Sequence, residues 1–275
     1  MSWQEAEPLD TIKLYLKYIK YISKSWFQYR VDAVLRSFAV FMREATGIFV
    51  IYLTLQSFTN INGWTLYELL FLFSVLFVTY GLLILFCTGL RDFGNLVLSG
   101  DLDRFLLRPR GVLMQVMASN ADMFAAIGHG ILGISLFLVC ADHVGISWTF
   151  NNISYYLITI ASGVVIQASI FLLLACSSFW FLKIDEFMNM LYYNSRKFAG
   201  YPISIYPKFI QKILMFIVPF AFVNYFPSQY FLRKPDLNQY WTGYVYITPI
   251  IALIMLVSML FFWRFSLKRY SSAGN

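Results

Sequence analysis

The 275-residue chain is apolar and basic, with 59% hydrophobic residues, 13% charged residues and a formal net charge of +7. Soluble domains carry roughly a quarter charged residues, so the composition excludes an ordinary soluble protein. Several nearly uncharged runs of about 20 residues can cross a bilayer as helices, and they lack the short alternating strands of a membrane barrel. The predicted fold class is therefore an all-α polytopic membrane protein forming one domain over residues 1–275.

Residues 9–30 are predicted to form an amphipathic helix at the membrane interface. Apolar residues recur there at helical spacing between four lysines, which makes the segment too basic to span the bilayer. Such a helix lies among the lipid headgroups with its apolar face buried. A helix packed on a soluble partner is the alternative interpretation.

Six apolar segments follow this helix. The predicted spans are residues 31–56, 66–88, 122–141, 153–182, 213–225 and 242–265. The first span is interrupted by Arg36, Arg43 and Glu44. Arg36 can extend to the interface, but charge at the depth of Arg43 should face protein, water or a counter-charge. Because neighbouring residues of a helix do not face each other, Arg43 and Glu44 are predicted to need separate partners, in a translocation path or in buried structural pairs.

The segments between the spans differ in charge. The N-terminal segment, residues 89–111, residues 183–212 and the C-terminus together contain 17 of the 21 Lys and Arg residues, whereas residues 57–64 and 142–152 contain none. Cytoplasmic loops of membrane proteins carry an excess of Lys and Arg. The sequence therefore predicts that both termini and residues 89–111 are cytoplasmic.

Residues 89–111, GLRDFGNLVLSGDLDRFLLRPRG, form a charged island between two apolar spans. The run from Gly100 to Arg104 predicts a turn followed by a short helix, with Asp101 as its N-terminal cap. Pro109 should end that helix, because helix is disfavoured at the residue before a proline. A short amphipathic helix in the cytosol suits insertion into a cleft on a soluble partner, and a helix resting on lipid headgroups is the alternative.

The region around the fifth span is rich in proline. Pro202 and Pro207 precede the span, Pro219 interrupts it and Pro227 follows it. Proline is tolerated in a spanning helix where the freed carbonyls find other partners. The region is predicted either to form broken, re-entrant helices of the kind found in transporters or to be a kinked helix followed by a loop.

The chain lacks sequence motifs for catalysis. No glycine is followed by lysine, so there is no P-loop for a nucleotide, and there is neither an H-E-x-x-H nor a G-x-S-x-G motif. His129 and His143 are not spaced as metal ligands, so no metal site is predicted. Small residues around His129 favour close helix packing there over a proton relay. The chain is predicted not to be an enzyme.

Two runs together resemble a known family. They are G-D-L-D-R-F-L-L-R-P after the second span and Y-P-I-S-I-Y-P with P-F-A-F-V-N-Y-F-P around the fifth. They are similar to bacterial ABC-type export permeases of the type-2 class, and more narrowly to the six-span ABC-2 family transporter proteins, some of them viologen or drug exporter subunits. The resemblance covers essentially the whole chain and implies a location in the bacterial cytoplasmic membrane.

The resemblance also implies partners. Two permease subunits, identical or homologous, would surround a central path, each above a cytosolic ATP-binding subunit. That subunit would hold ATP and magnesium, so this chain would bind no cofactor itself and no nucleic acid. The implied function is the permease subunit of an ATP-driven exporter. An ion-coupled secondary transporter or channel is the alternative, although such proteins usually keep several acidic residues near the midplane.

The resemblance assigns roles to individual residues. Residues 9–30 would be a connecting helix that also touches the ATP-binding subunit. The path would be lined by Arg43, Glu44 and Asn224. The loop after the second span would be a coupling helix that transmits closure of the ATP-binding subunits, and its contact residues would be Gly100, Asp101, Leu102, Asp103, Arg104, Phe105, Leu107, Arg108 and Pro109.

Overall fold

The computed structural model describes residues 13–15, 17–18, 20–21, 24, 30–58, 60–120, 122–181 and 184–270. Every regular secondary-structure element in these residues is a helix, and the helices are joined by turns and loops. One isolated antiparallel bridge joins Ile61 and Trp64. The predicted all-α fold class is therefore confirmed. The predicted interfacial helix, residues 9–30, lies largely outside the described part of the chain.

Twelve α-helices are described in residues 30–270. They are α1 (Arg30–Ser57), α2 (Leu66–Arg91), α3 (Phe93–Leu98), α4 (Leu102–Leu106), α5 (Val112–Met117), α6 (Met123–Val144), α7 (Phe150–Ser177), α8 (Asp185–Phe187), α9 (Asn194–Ala199), α10 (Lys208–Lys212), α11 (Tyr225–Leu232) and α12 (Thr248–Leu267). Within the described ranges, five helices are long and apolar enough to cross a membrane, or six if one bent pair counts as a span. The chain is a multi-pass membrane protein.

Helix α2 forms the centre of the bundle. It packs against α6 and α7, while α1 packs chiefly on α6 and α12 on α7. Helices α2 and α6 approach each other at small residues: a Cβ added to Gly81 would lie 3.2 Å from the Ala126 carbonyl oxygen, and one added to Gly133 would lie 2.8 Å from the Val78 nitrogen. Small residues of this kind let spanning helices pack at close range.

The bundle has two chemically different ends. Helix α2 begins beside the loop of residues 60–65 and ends at the charged island, and α6 then runs back to the loop of residues 145–149. The end that carries α3, α4 and α5 is called the island end below. The opposite end is called the loop end.

The segment before the predicted fifth span lies within the bundle. Residues 183–212 are predicted to be cytoplasmic, but α8, a π-helix (Met188–Tyr193) and α9 form one continuous helical run within the bundle. Tyr192 in this run is fully buried, and its hydroxyl donates a hydrogen bond to Gln167 Oε1 at 2.6 Å. Farther on, Ser204 Oγ donates to Asp236 Oδ2 at 2.6 Å at the loop end. The chain therefore extends through the bundle from the island end to the loop end.

The predicted span 213–225 is not one helix. Helix α10 continues as a π-helix (Ile213–Ile217) into the bundle, and the chain then turns back through a 3-10 helix (Phe220–Phe222) into α11. The two arms are bent by 74° at a break that contains Pro219, whose nitrogen has no hydrogen to donate to the preceding helix. Residues 208–232 are called the return hairpin below.

Both arms of the return hairpin end at the loop end. In the first arm, the side chain of Gln211 accepts a hydrogen bond from the Tyr240 hydroxyl at 2.9 Å. In the second arm, Tyr230 stacks on Tyr155 of α7, near the start of that helix, with ring centroids 3.9 Å apart. This geometry belongs to a segment that enters and leaves the bundle on one side, rather than to a complete crossing.

Two further differences concern the sixth span and the charge distribution. Helix α12 begins at Thr248 rather than at 242, because a 3-10 helix (Thr242–Val245) precedes it. Of the 17 cations predicted for the cytoplasmic side, Arg196 and Lys197 line a cavity inside the bundle, and Lys208 and Lys212 lie on the return hairpin. The predicted orientation thus depends on the other thirteen.

Candidate functional site: the charged island and a cationic cavity

The charged island is fixed to the bundle by apolar contacts. Phe93 at the start of α3 is fully buried and packs edge-on against Trp263 of α12, with ring centroids 5.3 Å apart. Leu102 in α4 is also fully buried. Gly89 of α2 lies directly against the backbone carbonyl of Val116 in α5. The island is therefore a folded extension of the bundle.

The short helix α4 is closed at both ends by local structure. Gly100, with a φ of 73°, occupies the left-handed region that glycine adopts without strain, and the chain turns there between α3 and α4. At the other end, the side-chain amide of Gln115 donates to the carbonyl oxygens of Phe105 at 3.1 Å and Arg110 at 3.0 Å. These bonds hold α4 against α5.

Asp101 occupies the N-cap position of α4, as predicted, but it does not cap the helix with its side chain. Its side chain makes no capping bond to the α4 backbone. It accepts hydrogen bonds from Ser99 Oγ at 2.9 Å and from Arg104 Nη1 at 3.3 Å. These two donors hold the pKa of the Asp101 carboxyl below its usual value. The Asp101 side chain therefore belongs to a surface pair, although the residue stands at the N-cap position.

The outward side of the island carries both charge and an exposed apolar residue. Leu107 is 86% exposed, and Arg104, Arg108 and Pro109 are exposed beside it. The Arg108 guanidinium lies over the ring of Phe105, 5.5 Å from its centroid. Among the predicted contact residues, Leu102 points into the core. The exposed members of the set are Arg104, Leu107, Arg108 and Pro109.

A second polar region lies inside the bundle. Helices α1, α2 and α6 and the run of residues 185–199 line an open cavity of about 640 Å³. Five cationic side chains and two carboxylates line it, and they are Arg36, Arg43, Arg91, Arg196 and Lys197 with Glu44 and Asp122. This space is called the cationic cavity below.

Asp122 joins two helices at the rim of the cationic cavity. Its Oδ2 accepts a hydrogen bond from Arg36 Nη2 at 2.6 Å, and its Oδ1 accepts one from the Ala125 backbone at 3.2 Å. Asp122 is almost fully buried. One carboxylate therefore caps the start of α6 and also binds α1 to it.

Glu44 is the meeting point of three basic side chains. Its Oε1 lies 2.9 Å from Arg43 Nη2, 3.2 Å from His129 Nε2 and 3.8 Å from Arg196 Nη1. The prediction that Arg43 and Glu44 need separate partners is therefore wrong for Arg43, because its long side chain folds back onto its neighbour. Glu44 has the predicted additional partners on other helices.

His129 contacts both Glu44 and the backbone of its own helix. Its Nδ1 lies 2.8 Å from the Ala125 carbonyl oxygen, which only accepts hydrogen bonds, so Nδ1 carries a hydrogen. Its Nε2 then faces a carboxylate oxygen, and a bond between them needs one further proton on either group. The ring is almost fully buried. His129 thus combines the predicted packing role with a polar contact that the sequence does not reveal.

The third predicted path residue lies elsewhere. Asn224 is fully buried in the return hairpin, where its Nδ2 donates to the Ala199 carbonyl oxygen at 2.6 Å. It does not line the cationic cavity. The structure brings Arg43 and Glu44 together and instead adds Arg196, which the sequence places in a cytoplasmic segment.

A carboxylate at the loop end holds the return hairpin in place. Asp236 Oδ2 accepts hydrogen bonds from Trp64 Nε1 at 3.0 Å and Tyr225 Oη at 2.9 Å, in addition to that from Ser204, and Oδ1 accepts one from Gln229 Nε2 at 2.9 Å. No spacing in the sequence signals this convergence, because its donors come from three separate segments.

Comparison with known proteins identifies a family. A family model described as "ABC-2 family transporter protein" matches residues 41–274, which is most of the chain. No curated protein matches the chain, and neither does any solved structure. The match includes the island, the return hairpin and the residues around Glu44.

Proposed function

Because the chain belongs to the ABC-2 transporter family, we propose that it is the permease subunit of an ATP-driven exporter and is driven through the charged island by a separate ATP-binding subunit. Members of this family are membrane components of ABC transporters and are not themselves catalytic. Membership supports a permease component of an ABC transporter over an ion-coupled transporter or channel.

The observation that carries this proposal is the outward side of the island. A short helix anchored by buried Leu102 presents an apolar side chain, Leu107, and the cation Arg104 to the outside of the bundle. An exposed apolar residue with charged neighbours is the composition of a protein interface. The anchor matters because a rigid element transmits displacement into the bundle, and closure of a partner can then shift the balance between two packed states.

We further propose that the island end faces the cytoplasm of a bacterial cell, with both termini on that side. The cations of the N-terminus, the island and the C-terminus support this orientation. ATP and magnesium would bind to the ATP-binding subunit, since the sequence has no P-loop.

A second permease subunit, identical or homologous, completes the proposed path. Helix α1 is mostly exposed along its length, and the Arg43 side chain on it is 65% exposed. Charge on a spanning helix is costly against lipid and calls for protein or water around it. The proposed path therefore runs beside α1, between the two permeases.

The proposal is tested by replacing the exposed apolar residue of the island. In Leu107→Asp, an acidic group replaces the apolar contact, and we expect the affinity for the ATP-binding subunit encoded with the permease to fall about tenfold or more. Affinity is measured by co-purification followed by titration of the ATP-binding subunit, and coupling by substrate-stimulated ATP hydrolysis.

Lys268→Ala is the matched control, because Lys268 is an exposed residue at the island end outside the island. It should bind the ATP-binding subunit like the wild type. If Leu107→Asp folds, inserts and binds with wild-type affinity, the island is not the coupling surface.

A further inference from the structure

The cationic cavity contains more positive charge than its carboxylates can balance. Arg36 is paired with Asp122 at 2.6 Å, and Arg91 with Asp92 at 2.7 Å. The remaining lining charges are Arg43, Arg196 and Lys197 against the single carboxylate of Glu44. The cavity wall thus has a surplus of two positive charges, and of these three cations only Arg196 is largely buried, where charge is expensive.

Arg196 is the cavity side chain that is best placed to bind an anion. It is 13% exposed, and its guanidinium lies 4.1 Å from the centroid of the Tyr80 ring. Its contact with Glu44 is long, at 3.8 Å, and its buried Nε has no hydrogen-bond partner. A buried donor without a partner costs free energy, and an acceptor from a ligand would remove that cost.

An apolar groove continues from the cationic cavity between α1 and α2. This groove, of about 270 Å³, shares Glu44, Arg196 and Lys197 with the cavity, and beyond them it is lined by apolar residues that include Ile51 and Phe73. The order of these residues along α1 and α2 places the groove on the loop-end side of the cavity. A molecule with an anionic group in the cavity would therefore have its apolar part in the groove.

We propose that this pair of spaces is the binding site for an anionic amphiphile, with a phosphate or carboxylate group between Arg196 and Lys197 and an alkyl or aryl tail in the groove. This assignment names the substrate class of the exporter and so rests on the proposed function, although binding itself can be measured apart from transport. Arginine suits the anionic group because its planar guanidinium can donate two parallel hydrogen bonds to one phosphate or carboxylate.

The polar contacts of Glu44 also explain how the site would admit a ligand. Glu44 is engaged by Arg43 at 2.9 Å and by His129 at 3.2 Å. These two groups can keep Glu44 satisfied when Arg196 turns from its 3.8 Å contact to an incoming anion. The ligand therefore replaces the weakest of the three contacts and leaves the stronger two intact.

The test is equilibrium binding of decyl phosphate to the full-length protein in neutral detergent, measured by isothermal titration calorimetry without ATP. We expect one saturable site. Arg196→Gln should weaken binding about tenfold or more, because it removes a charge-assisted bond. Inorganic phosphate alone should bind at least about tenfold more weakly than decyl phosphate, because it cannot fill the groove.

Lys197→Gln provides a second variant in case Arg196→Gln does not fold, since Lys197 is exposed and its loss leaves the core intact. Its binding should be about threefold to tenfold weaker, because it removes one of the two surplus charges. Lys212→Gln is the matched control, because Lys212 is an exposed lysine outside the cavity. If both Arg196→Gln and Lys197→Gln bind decyl phosphate like the wild type, the proposed site is wrong.

The same titration in lipid nanodiscs identifies the source of the anion. If phosphatidylglycerol in the disc competes with decyl phosphate and phosphatidylcholine does not, the site takes anionic lipid headgroups. If neither competes, it takes soluble amphiphiles, and either result supports the site. Because no ATP is used, a failure of this binding leaves the role of Leu107 at the island standing, and a failure at the island leaves the binding site standing.

Discussion

The charged island and the cationic cavity are both rich in arginine, but they hold their charges in opposite ways. In the island the charges are local in sequence and open to solvent, as in the pair of Asp101 and Arg104 at 3.3 Å. In the cavity they come from four separate segments and include buried members, such as Asp122, which pairs with Arg36. The first arrangement suits contact with a soluble partner, and the second suits a ligand taken up inside the bundle.

The difference also predicts how mutations should behave. Pairs of exposed charges contribute little to stability, because water and salt screen them. Removing a buried carboxylate leaves its former partners in a poorly solvated place, which costs considerably more stability. Substitutions in the cavity should therefore reduce stability, whereas substitutions on the island surface should change partner binding and leave stability nearly unchanged.

The largest effect is expected at the backbone contact that joins the island to the bundle. A Cβ added at Gly89 would overlap the carbonyl of Val116, so Gly89→Ala must push α5 away from α2. We expect a loss of about 3 kcal/mol in stability, which is typical of overpacking where the neighbour is backbone. The measurement is the thermal unfolding midpoint in detergent, together with binding of the ATP-binding subunit.

Gly111→Ala is the control for this change. Gly111 precedes α5, has a φ of −58°, and a Cβ added there would meet no atom within 4 Å. It should unfold like the wild type. An equal midpoint for Gly89→Ala and Gly111→Ala would show that the island is not positioned by the contact between α2 and α5.

A smaller effect is expected at the rim of the cationic cavity. Asp122→Ala removes the cap of α6 and the 2.6 Å hydrogen bond between Arg36 and this buried carboxylate. A cap contributes about 1 kcal/mol and a hydrogen bond between charged groups about as much again, so we expect a loss of about 2 kcal/mol. Unfolding in a denaturant series would measure it.

Asp142→Ala in the last turn of the same helix is the matched control, since Asp142 is exposed. Removing an acid near a helix C-terminus should leave stability unchanged or slightly raise it. If Asp142→Ala lost as much stability as Asp122→Ala, the effect at Asp122 would not come from its capping bond and its contact with Arg36.

The fold class could be predicted from hydropathy, because each long helix contains a long apolar run with few charged residues. The path of residues 183–212 could not. Its five cations suggest a cytoplasmic segment, whereas Arg196 is held inside by Glu44 and the Tyr80 ring. A charge count cannot distinguish a cation in solvent from one balanced by a carboxylate some 150 positions away.

The candidate sites also differ in how much of each could be predicted from the sequence. The island is visible in the sequence because its residues are consecutive, although the roles within it are not, since Asp101 binds Ser99 and Arg104 rather than capping α4. Arg43 and Glu44 could be selected because charge is rare in a span. Asn224 is a candidate because it is polar in the predicted fifth span, but its amide donates a hydrogen bond to the Ala199 carbonyl oxygen. Polarity within a span identifies constrained residues without showing which of them line a cavity.

The smallest effect is expected at the surface of the island, in Asp101→Asn. Hydrogen bonds from Ser99 and Arg104 lower the pKa of this carboxyl in the folded protein, so any stability it contributes is present above its ordinary pKa and is lost as the pH falls through the lowered value. Because the group is exposed, water screens the interaction. We expect the thermal midpoints of Asp101→Asn and the wild type to agree closely at neutral pH and to converge fully in acid, when followed by intrinsic fluorescence over a pH series. A drop at neutral pH as large as that of Asp122→Ala would mean that the island's charges support the fold as the cavity's do, and the division between an exposed docking surface and a buried binding site would then not hold.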